Sequence, residues 1–340
     1  MKSSFNGAAN RRRFLKRASV VTMATLLAGH RRPAAAETPL EITKIRLTRS
    51  PSICLAPSYL AEELLKLEGF SQVEYVNWIS TSGASVLPTG LADISMVPVQ
   101  ETIPDIDAGH NLLLLAGVHS GCYELFGRGN IRAVRDLKGK SIAISVANGA
   151  DHVFIASVLA YVGLDPHQDV HWVTTDSIPS SMHFFAEGKV DAFLGFPPQP
   201  QLLRARKIGH VILDTGADRP WSQYFCCMVA GNREFVRKYP VATKRAVRAI
   251  LKASDICAQE PDRAAKYLVD KGYSAQYDVT LEVMKSLPYN RWRDTAPEDT
   301  VRFHALRLHE LGMIKGTPQK IIADGADWRF LNEIRRELKA

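Results

Sequence analysis

The sequence predicts an α/β fold in two blocks with a helical C-terminal part, an arrangement of two lobes. Three observations carry this expectation. Strand–helix–strand units fill residues 42–118 and start again at residue 135. Beyond about residue 233 the apolar spacing is helical. The chain has 340 residues, enough for about two domains. At 46% hydrophobic and 23% charged, it is neither disordered nor fibrous, and it can bury a core without disulfide or metal staples.

In the first block, residues 42–47 alternate apolar and polar side chains as a half-buried strand does. Pro57 opens a helix over 58–67, with Leu60, Ala61, Leu64 and Leu65 on one face and Gly69 as its stop. Residues 73–76 are the second strand. Ser80-Thr81-Ser82-Gly83-Ala84 leads into a short helix ending near Gly90, and 92–97 is the third strand. Residues 112–118 form a continuous apolar run, consistent with a buried parallel strand.

The second block repeats the pattern. Residues 141–146 read as a strand, and Ala147-Asn148-Gly149-Ala150-Asp151 leads into a helix over 152–161 that Gly163 stops. A strand at 170–173, a helix at 182–187, and strands at 190–196 and 211–214 follow. Phe196-Pro197-Pro198-Gln199-Pro200 holds three prolines in five residues, which predicts a rigid loop, not a helix or central strand. Helices are expected at 233–238, 241–259, 262–271, 280–286, 297–311 and 326–339.

The formal charge of +8 is confined to one end. Residues 1–36 hold eight Lys and Arg and no acidic residue, so the rest of the chain balances 35 basic against 35 acidic residues. A basic body of the kind that binds nucleic acid is thereby excluded. Arg12-Arg13-Phe14-Leu15-Lys16, with Asn10 before it, looks like a twin-arginine export motif, followed by about a dozen mostly apolar residues and a small-residue cleavage signature at Ala34-Ala35-Ala36. That run is shorter than the roughly 20 residues a membrane span needs. Cleavage after about Ala36 and a soluble periplasmic mature protein are expected. Cys54, Cys122, Cys226, Cys227 and Cys257 are odd in number and show no CxxC spacing, so they read as small buried hydrophobes, not a disulfide framework or a metal site.

Gly90-Leu91-Ala92-Asp93-Ile94 and Gly188-Lys189-Val190-Asp191-Ala192 repeat one turn-to-strand motif. Pro57-Ser58-Tyr59-Leu60-Ala61 follows the first strand, and Asp136-Leu137-Lys138-Gly139-Lys140-Ser141-Ile142-Ala143 starts the second block. In this order, over residues 42–270, they resemble the periplasmic solute-binding proteins of ABC importers for nitrate, sulfonates, taurine and thiamine-pyrimidine precursors. The resemblance implies a two-lobed type II periplasmic-binding fold hinged on two crossing strands, near 118–126 and 221–228. Lobe one would be 37–120 plus 228–340, and lobe two 121–227.

In open α/β sheets ligands sit beyond the carboxyl ends of the strands. Helix starts there hold anions through unpaired N–H groups. Thr81, Ser82 and Gly83 on one lobe, and Asn148, Gly149 and Ala150 on the other, are the expected contacts; capping by Ser82, Asn148 or Asp151 uses the same groups, and the sequence does not separate the two uses. Asp151 itself reads as a first-turn residue. Cys54 and Gln100 lie on neighbouring loops. His119 and Ser120 end the apolar run, and Phe196, Trp221, Tyr224 and Trp78 offer flat apolar walls.

No nucleophile–base motif is recognisable, so a binding protein is expected, not an enzyme. It would be a monomer with no cofactor, delivering a small organic anion (an alkyl sulfonate first, then a nitrate-like ion or carboxylate) to a permease and its ATPase. Two enzymes of similar fold supply the alternative. An aromatic sulfinate desulfinase uses a Cys in a Cys-x-x-Pro loop like Cys54-Leu55-Ala56-Pro57, but with a His and an Arg that residues 81–84 do not offer. A thiamine-pyrimidine precursor synthase carries a cysteine cluster of which Cys226-Cys227 is a thin echo.

Overall fold

In the computed structural model, among the described residues, 38–50, 52–77 and 86–338, ten strands form two five-stranded sheets. β1 (Lys44–Arg49), β2 (Gln72–Asn77), β3 (Ile94–Pro98) and β4 (Leu112–Ser120) lie in the first. β5 (Glu124–Gly127), β6 (Lys140–Ile144), β7 (Val170–Thr174), β8 (Ala192–Gly195) and β9 (His210–Asp214) make the second, and β10 (Phe225–Asn232) returns to the first. The orders are β2-β1-β3-β10-β4 and β7-β6-β8-β5-β9. Three parallel strands start each sheet, and the fourth position runs antiparallel to both its neighbours. In both sheets that inverted strand is the one laid down directly after the chain changes sheet, between Ser120 and Glu124 and between Asp214 and Phe225. The described residues from Leu40 onward pack as one unit.

The helices are α1 (Ala56–Leu67), α2 (Val99–Asp107), α3 (Ala150–Tyr161), α4 (Ile178–Ala186), α5 (Gln199–Ala205), α6 (Arg233–Lys238), α7 (Pro240–Gln259), α8 (Pro261–Asp270), α9 (Tyr277–Ser286), α10 (Pro297–Glu310), α11 (Pro318–Gly325) and α12 (Arg329–Glu337). In the α/β part each helix follows a strand's carboxyl end, so helix starts gather at one rim of each sheet. No described helix is long and apolar enough to cross a membrane.

All nine residues of β4 are buried. Alternation sends Leu113 and Leu115 into one apolar cluster and Leu112 and Leu114 into another on the opposite face. The run was expected to be a parallel strand; it points the same way as β1–β3, but its ladder partner is the antiparallel β10. Burial on both faces erases the polar alternation that distinguishes the two pairings.

The repeated motif has one structural use. Asp93 accepts from the backbone N–H of Arg46 at 2.8 Å, and Asp191 from the N–H of Ser141 at 2.9 Å and its hydroxyl at 2.8 Å. A carboxylate just before β3 thus pins the register of β1, and one just before β8 pins that of β6.

Three expectations need correction. Residues 99–101 are not a loop but the start of α2, whose face Val99, Ile103 and Ile106 is buried; Pro104 inside it obscured the period. The proline run does not remain a loop throughout: α5 begins at Gln199 with Pro200 in its first turn, where the missing N–H costs nothing. The last expected helix starts at Arg329, preceded by the unforeseen α11. The leader 1–36, Trp78 and the expected contacts Thr81, Ser82 and Gly83 lie outside the described residues.

Candidate functional site

The loops that follow β1 and β8 meet. The N–H of Ile53 donates to the carbonyl of Pro197 at 3.3 Å, and the Ser52 hydroxyl reaches the same oxygen at 3.4 Å. Near this seam lies a cavity of about 10 Å³, roughly the room of one water. Gln100 of α2, Phe154 of α3 and His304 of α10 line it. So do Gly121 and Tyr123 from the first passage between sheets, Thr215, Trp221 and Tyr224 from the second, and Phe225 and Cys226 of β10.

The two passages are tied together at the cavity. The Tyr123 N–H donates to Thr215 Oγ1 at 3.0 Å, and that hydroxyl donates back to the Tyr123 carbonyl at 2.9 Å. Apolar walls come from ring packing: Tyr224 stacks on Phe303 at 4.1 Å, Trp221 meets Tyr161 edge-on at 5.1 Å, and Tyr123 lies 4.9 Å from Phe154. Gln100 Nε2 is 3.3 Å from His304 Nε2. Burial drives the His304 pKa down to about 3, so the imidazole is neutral. Gln100 Oε1 is sealed from solvent without a hydrogen-bond partner.

Carboxylates flank the cavity. Burial, with Asp105, Asp151 and Cys226 nearby, raises Glu101 from 4.5 to about 8, and its Oε1 has no partner. Burial also raises Asp151, against hydrogen bonds from the Ser145 N–H at 2.6 Å and the His152 N–H at 2.9 Å. The turn into α3 therefore spends those amides on its own carboxylate. Asn148 sits there at φ 63°, its N–H donating to His152 Nδ1 at 3.0 Å.

Behind Cys226 lies a nest of thiols. Cys54, Cys122, Cys226 and Cys227 are all buried and unpaired by disulfide, as is Cys257 elsewhere. Cys54 Sγ is 3.0 Å from the Ser52 hydroxyl, and its carbonyl accepts from Tyr289 Oη at 3.2 Å. For Cys226 burial works against the thiolate, yet the S–H groups of Cys122 and Cys227 and the nearby His119 bring it down to about 5; burial and the thiols of Cys226, Cys227 and Cys54 push Cys122 up. His119 is fully buried against Tyr289.

Of the residues expected from the sequence, Gln100, Trp221 and Tyr224 line the cavity. Phe196 stands behind Tyr123 at 6.1 Å. Cys54, His119 and Ser120 are buried and outside the lining. Asn148, Gly149 and Ala150 at the start of α3 are also outside it, exposed, buried and half-buried in turn. Sequence reasoning missed Tyr123, Thr215 and Cys226, although all three adjoin the expected crossings. It also missed His304, whose place depends on α10 reaching α2 across 204 residues of sequence.

The fold is that of the periplasmic binding proteins. The chain is similar to the periplasmic nitrate-binding protein NrtA from Synechocystis PCC 6803, with 14% identity over 89% of this chain and 90% of that one and a TM-score of 0.74. It is similar to the alkanesulfonate-binding protein SsuA from Xanthomonas axonopodis pv. citri bound to MOPS, with 16% identity over 85% and 100% and a TM-score of 0.67. A cysteine-to-serine mutant of DSZB in complex with biphenyl-2-sulfinic acid shares the fold at 17% identity over 86% and 99%, with a TM-score of 0.60. No curated protein matches the sequence. The chain thus joins the fold of periplasmic nitrate- and sulfonate-binding proteins to the sequence pattern of the NMT1-like family, which its residues 127–285 match.

Proposed function

We propose that this is the solute-binding component of an ABC importer, working in the periplasm after removal of its leader. It captures a small organic anion between lobes 37–120 plus 228–340 and 121–227, and passes it to a permease and its ATPase. One observation carries the reading: strand-end loops of both sheets close on each other, Ile53 on Pro197, beside a cavity fed by both passages. The cavity holds about one water, so the arrangement is read as the shut form, and bending at the passages admits the ligand. Tyr123, Phe154, Trp221 and Tyr224 suit an alkyl chain, and the side-chain amide of Gln100, which has a second N–H beyond the one facing His304, suits an anionic head as donor. An alkyl sulfonate is the first candidate, then a nitrate-like ion or a carboxylate.

The test is a thermal-shift panel of alkanesulfonates, nitrate, carboxylates and pyrimidines on the full chain. A true ligand at 100 times its Kd stabilises by about 2.7 kcal/mol. A flat response across the panel overturns the reading.

An enzymatic reading rests on Cys54. Sequence offered it no imidazole, but the fold places His119 beside it, and the neighbouring thiols and His119 lower its pKa. A carrier keeps its affinity in Cys54→Ser, whereas a thiol-dependent desulfinase loses sulfite release from an aryl sulfinate.

A further inference from the structure

We propose that the thiol nest is a metal site: Cys54, His119 and Cys227, with Cys122 and Cys226 adjoining, bind a thiophilic closed-shell cation, Zn²⁺ or Cu⁺. The proposal does not depend on what the cavity carries.

Two donor triads exist among the described residues. The ligating atoms of Cys54, His119 and Cys227 all lie within 4.8 Å of one another, as do those of Cys122, Cys226 and Cys227. Cys227 belongs to both. Zinc–sulfur bonds of about 2.3 Å and zinc–nitrogen bonds of about 2.0–2.1 Å place neighbouring ligands roughly 4 Å apart, so either triad reaches coordination by drawing in by under about 1 Å. The donors come from four separate segments, the turn after β1, the end of β4, the first passage and β10, so their convergence is a property of the fold. Four sulfurs and an imidazole, with no carboxylate among them, suit Zn²⁺ or Cu⁺ and not Ca²⁺, Mg²⁺ or Mn²⁺.

His119 supplies the independent observation. Its side chain is fully buried; Nδ1 lies 3.3 Å from the Ser120 carbonyl, while Nε2 has no hydrogen-bond partner. A buried polar atom left unpaired is costly. An imidazole with one nitrogen on a backbone carbonyl and the other bare is oriented as metal-ligating histidines are. Each coordinating thiol gives one proton to solvent, and no oxidation state changes.

The test uses the full chain, reduced and stripped of metal, titrated separately with Zn²⁺ and with Cu⁺ against a chromogenic chelator. One ion per chain is expected to resist the competitor, and cobalt substitution should give a thiolate-to-metal charge-transfer band. His119→Gln and Cys227→Ala, with Cys54→Ser as a variant on a different segment, should each weaken binding about tenfold or more. Cys257→Ser should bind as the parent does. Circular dichroism of the metal-free variants separates loss of a ligand from loss of the fold. Failure of both ions to bind stoichiometrically overturns the proposal, as does binding that survives all three substitutions. So does a protein isolated from the periplasm with fewer than five titratable thiols and a mass two hydrogens light, which marks a disulfide instead.

Discussion

Ile53 and Pro197 share a backbone hydrogen bond of 3.3 Å, which joins the turn after β1 to the loop after β8. Ser52 adds a longer one to the same carbonyl, at 3.4 Å. Each is worth about 1 kcal/mol net, so the seam is lightly held and suited to opening. Ser52→Ala should cost about fivefold in ligand affinity, the equivalent of 1 kcal/mol, and enlarge the unliganded radius by small-angle scattering. An unchanged radius and affinity would mean that the seam does not govern closure.

Glu101 gives stability a pH dependence. Its folded pKa of about 8 lies above the ordinary 4.5, so the folded state holds a proton that the unfolded chain releases. The contribution is complete below about pH 4.5 and is lost as pH rises through about 8. Glu101→Gln keeps the neutral form at all pH values. Denaturant melts should show the variant more stable than the parent at pH 8 by up to a few kcal/mol, and level with it near pH 4. Parallel curves at both pH values would count against this assignment.

Glu68 and Arg248 form a bidentate ion pair under α1 and α7, both at most 9% exposed. Arg248→Met leaves the Glu68 carboxylate with Lys252 alone at 3.4 Å. The expected loss is about 3 kcal/mol by urea unfolding. Arg248→Met combined with Glu68→Leu removes the stranded charge and should recover most of it. Equal loss in the single and double variants would show that packing, not the charge, is responsible.

Gly121 sits at φ +60° in the first passage, where a Cβ would strike the backbone of Gly216 in the second. Gly121→Ala therefore combines backbone strain with a clash that no rotamer relieves. A loss of about 1–3 kcal/mol in melting experiments is expected, with the passages pushed apart and ligand response reduced. A variant as stable as the parent would mean that the passages are slack.

Local pattern made much of this legible. Helix stops at Gly69, Gly163 and Gly188, and the alternation of the strands, are written in neighbouring residues, so the two blocks and the order of their elements could be read directly. The inverted strands could not, because a strand buried on both faces reads alike whichever way its neighbours run, as Leu112–Ser120 illustrates. The site was legible at Trp221 and Tyr224, which adjoin the second passage, and at Gln100, which follows the carboxyl end of β3. His304 and the gathering of Cys54, Cys122, Cys226 and Cys227 depend on segments far apart in sequence, and a spacing rule such as CxxC is blind to ligands that only the fold brings together.

The placement of β10 between β3 and β4 also dictates an order of manufacture. Residues 124–214 contain every strand of the second sheet, so that half can close while the ribosome is still reading the remainder. The first sheet has no such option: until Phe225–Asn232 emerges and wedges in, β3 and β4 have unpaired edges facing each other, open to wrong partners. A chain truncated before Phe225 would carry one finished sheet and one from which β4 is left out, with only β2-β1-β3 able to pair.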